Sequence, residues 1–243
     1  MLIVNADDLG RQQTATDAAL ACYAKKRITS ASAMVFMRDS ERAAELALSS
    51  EIDVGLHINL SEAFSGRSVP TRLQEHHGQI TRFLGISKYA LLVYHPWLAE
   101  KFRYVFEMQH AEFVRLYGRA PSHFDGHQHM HLATNMLVNR ILPEGTKVRR
   151  SFSFEAGEKS PVNRWYRGLV DRRLKRRHRL TDYFFSLAHQ LPPERFDRVI
   201  RLAQGATVEL MTHPQNPREF DFLMSERFGA VTSQVRLASH DAL

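Results

Sequence analysis

Short apolar runs alternate with amphipathic stretches along most of the chain, which predicts strands and helices in turn. Leu2-Ile3-Val4 reads as a strand that stops at Asp7-Asp8-Leu9-Gly10, and Thr14 to Lys26 as a helix with Ala18, Leu20, Ala21 and Tyr23 among its apolar positions. Ser30 to Met37 reads as a second strand, Ser40 to Leu48 as an Ala-rich helix, and Asp53 to Leu60 as a third strand carrying His57. The stretch from Pro70 to Leu98 is less regular and contains Gly78, Gly85 and Pro96, so it reads as an insertion or lid. Ala99 to Tyr117 reads as a long helix, a His-rich strand follows Gly118 and Pro121, and Met136 to Leu142 continues helical. Thr146 to Phe154, Asp182 to Phe185 and Thr207 to Met211 read as further strands with helices between them, while Leu223 to Leu243 carries weak signals. Such alternation argues for α/β architecture with a mainly parallel sheet. The simplest reading is one domain over residues 1–243 folded as a (β/α) barrel, complete or irregular, with a doubly wound open sheet as the alternative. In either fold, residues that carry function gather where strands end and loops begin.

Composition narrows the classes. The chain has 243 residues, 44% hydrophobic and 24% charged, an ordinary globular profile. No stretch approaches the run of roughly 18 apolar residues needed to span a bilayer. The first residues turn acidic too soon for a signal peptide, so the expected compartment is the cytoplasm. Cys22 is the one cysteine, which excludes an intrachain disulfide and a Cys-based zinc site. The net charge of +7 owes much to Arg164, Arg167, Arg172, Arg173, Lys175, Arg176, Arg177 and Arg179. A basic cluster attracts nucleic acid, anionic lipid or an anionic substrate. Without a glycine-rich RNA signature or interleaved aromatics, it reads as a solvated basic helix and nucleic acid is not an expected partner. A homodimer would be unsurprising for a chain with exposed apolar helices.

Chemistry concentrates in His123-Phe124-Asp125-Gly126-His127-Gln128-His129-Met130-His131, where every odd position is His or Asp. If this segment begins as a strand, those side chains start on one face. A face of imidazole and carboxylate makes poor core but good ligands for a divalent metal. Alternate strand residues lie roughly 6.6 Å apart and a ligating nitrogen must come within about 2.1 Å, so one ion takes one or two ligands here and the rest from elsewhere.

Three other strand ends supply candidates: Asp7-Asp8, His57 in Gly55-Leu56-His57-Ile58-Asn59-Leu60, and His213 in Met211-Thr212-His213-Pro214. Asp7 and Asp8 would face opposite ways on a regular strand, so both reach one site only if the chain bends, and Gly10 makes a nearby bend easy. Two adjacent carboxylates can then divide the work, one ligating a metal and one taking a proton from water. His213 could donate a proton to a leaving amine. Asn59 lies on the His57 face and could orient a ligand or substrate, as could Asp125 and His129 within their segment. Arg149 could pair with the base carboxylate or stabilise an oxyanion.

These four motifs, in their order and spacing, resemble the YdjC-like carbohydrate deacetylases, over residues 1 to about 225. The resemblance implies a (β/α)-barrel-like fold, one divalent metal such as magnesium or zinc, and removal of the N-acetyl group from an amino sugar. Carried over by motif, it implies Asp8, His57 and His127 as metal ligands, Asp7 as general base and His213 as general acid. The alternatives are a single-metal phosphoesterase and a sugar-binding protein with a relic site.

Overall fold

The computed structural model describes residues 1–154 and 157–243. Among these, β1 (Leu2–Leu9), β2 (Ser30–Ala33), β3 (Asp53–Ile58), β4 (Phe124–Gly126), β5 (Tyr183–Ser186) and β6 (Val208–Thr212) form one parallel sheet in the order β4-β3-β2-β1-β6-β5. The sheet curls into an incomplete (β/α) barrel. Helices α1 (Gln13–Ala24), α2 (Ser40–Ser50), α3 (Thr71–Gly85) and α4 (Ala99–Tyr117) fall between the first four strands. After β4 come α5 (Thr134–Val138), α6 (Pro161–Lys175), α7 (Leu187–Gln190) and α8 (Pro193–Gly205), and after β6 come α9 (Pro217–Met224) and α10 (Glu226–Thr232). β1 is buried along its whole length, as a central strand covered on both faces must be.

The gap between the edge strands β4 and β5 is spanned by residues 146–153. The Phe124 amide donates to the Lys147 carbonyl and the Arg149 amide to the Phe124 carbonyl, both at 2.9 Å, while the Ser153 amide donates to the Phe184 carbonyl at 2.9 Å. The predicted strand Thr146–Phe154 is thus extended but irregular, with single bridges only. Its ladder is interrupted because the Ser151 amide donates at 2.9 Å to the Asp171 carboxylate on α6 rather than to a strand.

Two stretches with weak periodicity carry regular structure. The stretch from Pro70 to Leu98 carries a 15-residue helix, α3, whose buried side is Leu73, His77, Ile80 and Leu84. A histidine in the apolar stripe hides its period. The weak C-terminal signals over Leu223 to Leu243 cover α10 and residues 236–238, the latter flanking β1: the Leu2 amide donates to the Arg236 carbonyl and the Ala238 amide to the Leu2 carbonyl.

α4 matches its predicted bounds and buries Phe102, Val105, Phe106, Gln109, Phe113 and Tyr117 at three- and four-residue spacing. Its one buried amide, Gln109, accepts from the Asn59 amide at 2.8 Å and donates to the Asn59 carbonyl at 2.9 Å, pinning the chain just beyond β3.

Gly55 on β3 faces the imidazole of His123: a Cβ there would sit 2.4 Å from the ring. Gly55→Ala is therefore expected to lower unfolding free energy by about 1–3 kcal/mol, read from urea denaturation. Burial lowers the pKa of His77 from 6.5 to about 4. Its contribution to stability is present above pH 6.5 and is lost as pH falls toward 4, because the unfolded chain binds the proton first. His77→Leu should flatten that acid limb by about 3 kcal/mol relative to the parent chain, measured by denaturant unfolding across pH.

Candidate metal centre

The carboxyl ends of β1, β3 and β4 bring Asp8, His57 and His127 together, with one ligand atom of each within 4.8 Å of the others. The backbone of β1 makes this possible. Its pairing with β2 shifts register between Ala6 and Leu9, a bulge, and Asp8 adopts φ 68°. The extra residue turns both Asp7 and Asp8 into the site where a regular strand would separate them. The bend thus sits at Asp8 itself, with Gly10 at φ 81° completing it.

Asp8 Oδ1 lies 3.0 Å from His127 Nδ1 and 3.4 Å from His57 Nε2. Atoms sharing one ion at about 2.1 Å lie roughly 3.0–3.4 Å apart, so these spacings suit a common cation. The other His57 nitrogen, Nδ1, donates to Asp125 Oδ1 at 2.8 Å, which leaves Nε2 free to ligate. Burial disfavours a charged His57, but Asp125 and Asp7 outweigh it and push its pKa up to about 10. Burial also opposes charge on Asp8, yet hydrogen bonds from His127 and His57 hold it well below the usual carboxylate range. The pocket favours positive charge, and a set of one carboxylate and two imidazoles fits a divalent ion.

Beneath lies Arg149, 1% exposed. Its Nη1 and Nη2 donate to the two oxygens of Asp7 at 2.7 Å each, Nη2 also reaches Asp125 Oδ2 at 2.7 Å, and Nε donates to Glu209 Oε1 at 2.6 Å. Each nitrogen of the Arg149 guanidinium thus meets a carboxylate, Asp7 among them. Asp7, His57 and Asp125 also lie within ligand distance of one another, but a second cation there would have to displace this guanidinium.

The His-rich segment divides its roles. β4 is short, and the chain turns into a 3₁₀ helix over His127–Leu132 with Gln128 at φ 52° and His129 at φ 59°. Gly126 permits the turn, since a Cβ there would lie 2.8 Å from the His131 amide nitrogen. His131 Nε2 donates to the Arg149 carbonyl at 3.0 Å, and the half-buried His129 ring packs 4.5 Å from Phe152. Burial holds both imidazoles neutral, with the pKa of His131 lowered to about 4. His123 points inward and stacks on His240, ring centroids 3.5 Å apart and planes 15° from parallel. Asp53, His123 and His240 are close enough to suggest a second ion. Rings stacked face to face direct their lone pairs nearly parallel rather than toward a common point, so this pair is poorly arranged to share an ion.

His213 follows β6. Its backbone amide donates to Glu219 Oε2 at 3.0 Å, and its Nδ1 lies 3.8 Å from Glu219 Oε1. Burial works against its charge, but Glu219, Asp7 and Asp8 prevail and raise its pKa above 6.5. The same loop carries Gln215, whose Nε2 donates to Asp8 Oδ2 at 3.0 Å. Asn59 does not face the cluster. Its Oδ1 accepts from the Ser61 and Glu62 amides and its Nδ2 donates to the Glu62 carbonyl, forming the turn that presents Glu62.

A family profile described as YdjC-like protein matches residues 1–234. The chain belongs to the YdjC-like protein family. This YdjC-like chain is 35% identical over 137 residues to mouse carbohydrate deacetylase, a match covering 54% of this chain and 43% of the mouse protein. It is 37% identical over 139 residues to human carbohydrate deacetylase, covering 54% and 41%. It is 30% identical over 137 residues to Serratia marcescens chitooligosaccharide deacetylase, covering 54% and 51%. The matches thus span about half the length of these relatives. Among solved structures, a candidate cellobiose-phosphate cleavage protein from Enterococcus faecalis superposes with TM-score 0.66 at 18% identity, covering 99% of this chain and 97% of that one. The Xyl-CE4 domain of a termite-hindgut xylanase gives TM-score 0.50 at 9% identity, covering 99% and 87%. Both likenesses concern the fold.

Four residues around this cluster escaped the sequence reading. Glu62 Oε2 lies 3.2 Å from His127 Nε2, Arg11 bridges Asp8 and Glu62, Gln215 contacts Asp8, and Glu209 holds Arg149. Arg11 and Gln215 sit within three residues of named motifs. Glu209 is a charged residue in an otherwise apolar strand, itself a usable signal. Arg149→Met would leave three buried carboxylates without their cation. It is expected to lower stability by about 3–5 kcal/mol at neutral pH, with partial recovery in acid as the carboxylates take up protons, read from urea unfolding at two pH values.

Proposed function

We propose that this chain removes the N-acetyl group from an N-acetylated amino sugar or oligosaccharide, releasing acetate and a free amine. The observation that carries this reading is the joining of Asp8, His57 and His127 beside a second carboxylate, Asp7, and a loop bearing His213, whose protonated form the nearby carboxylates favour. The family and the deacetylase relatives support it. A divalent ion, magnesium or zinc, held by Asp8, His57 and His127 would polarise the acetyl carbonyl and acidify the attacking water. Asp7 takes the proton of that water. Arg149 and Asn5, which donates to Asp7 Oδ1 at 2.9 Å, fix the carboxylate in place. His213 donates a proton to the departing amine nitrogen, its protonated form favoured by Glu219 and the two aspartates. The cytoplasm is the proposed site of action.

Acetate release from N-acetylglucosamine oligomers should require added divalent metal and stop with chelator. Asp7→Asn is expected to lower kcat by about 10²–10⁴-fold while retaining metal in a binding titration, whereas His127→Ala loses the metal itself. Turnover that survives chelation, or an Asp7→Asn variant with full kcat, would overturn the assignment.

A further inference from the structure

Beside the cluster, a groove of about 490 Å³ opens between residues 88–92 and α6, with Gln128 and His129 on its floor and Tyr89 and Tyr166 on its walls. Both rims are apolar and exposed. One presents Ile86, Tyr89, Leu92, Val93 and Trp97, and the other Val162, Trp165 and Leu169. The chain has two tryptophans, and both lie here, 81% and 63% exposed. Exposed apolar groups gathered this way mark an interaction surface. Residues 137–139 contact both flanks: Tyr94 Oη donates to Asn139 Oδ1 at 3.2 Å, and Arg173 Nη2 donates to the Leu137 carbonyl at 3.3 Å.

Charge indicates what meets this face. On α6, Val162, Trp165 and Leu169 recur at helical spacing, and the exposed Arg172, Arg173 and Arg176 continue the same side, opposite the buried Leu174. Aromatic and aliphatic groups flanked by arginine are what a helix lying in a lipid headgroup layer presents. We propose that this rim docks the protein on an anionic bilayer surface, with Trp97 and Trp165 at headgroup depth and the α6 arginines against lipid phosphates. The chain's net charge of +7 favours the same contact. A second copy meeting this face across a two-fold axis would set the cationic band against its like. No helix among the described residues is long and apolar enough to cross a membrane, so the contact is peripheral.

Because both tryptophans lie on the rim, their fluorescence reports the contact without turnover, and the result is independent of the deacetylase reading. Vesicles of phosphatidylcholine with phosphatidylglycerol should shift emission of the full chain to the blue and co-sediment with it, while pure phosphatidylcholine vesicles and raised salt weaken both effects. Arg172→Glu and Arg176→Glu should each lower vesicle partitioning at least about fivefold, with unchanged circular dichroism. Trp97→Ala with Trp165→Ala should lower co-sedimentation further. An absent shift with anionic vesicles, or equal partitioning of the charge-reversed variants, overturns the proposal. A blue shift that grows with protein concentration alone, with doubled mass by light scattering, assigns the face to a second copy and overturns it equally.

Discussion

The guanidinium of Arg149 is the constraint on which the interior depends. It is buried among the carboxylates of Asp7 on β1, Asp125 on β4 and Glu209 on β6, over the face of Phe184 on β5 at 4.9 Å. It arrives on residues 146–153, which span the gap between the edge strands, so one side chain ties that irregular span to four strands. Burial opposes its charge and theirs, but mutual attraction keeps Arg149 charged and holds Asp125 and Glu209 ionised. Buried ion pairs add little net stability against an apolar alternative, but losing one partner is costly. Their value here is geometric. Asp125, held by Arg149, accepts from His57 Nδ1 and so orients the ring with Nε2 toward Asp8.

Much of this was legible in the sequence where local patterns speak for themselves. α4 follows from its apolar spacing, and the acidic and imidazole residues at strand ends point to one site because parallel sheets collect function at their carboxyl edge. What stayed hidden depended on partners distant along the chain. α3 escaped because His77 stands where an aliphatic would reveal the period. The span around Arg149 read as a strand because its ladder is broken by Asp171, more than twenty residues from Thr146. Glu62 could not be assigned until Asn59 was seen to form its turn. The bend at Asp7-Asp8 was expected from Gly10, yet falls mainly on Asp8, one of the few non-glycine types that tolerates a left-handed backbone.

The His-rich segment shows how a crowded motif resolves. Of its polar residues, His127 joins Asp8 and His57, Asp125 orients His57, His131 braces the Arg149 backbone, and His123 fills the hollow left by Gly55. One strand face could not have hosted all of them. The change from β4 to a tight turn, with two left-handed residues in succession, sends the later imidazoles elsewhere.

Between β1, which carries Asp8, and β3, which carries His57, runs β2, Ser30-Ala31-Ser32-Ala33. Ser32 Oγ meets Asn5, Asp125 and His123 within 3.0 Å, and Ser30 Oγ meets Asn5 and His240 within 3.1 Å. Its hydroxymethyl groups are just large enough to relay these contacts and small enough to let two neighbouring strands lean their acids and imidazoles together. Bulkier side chains on this strand would push its neighbours apart, so β2 acts as the gauge that sets the bore of the barrel.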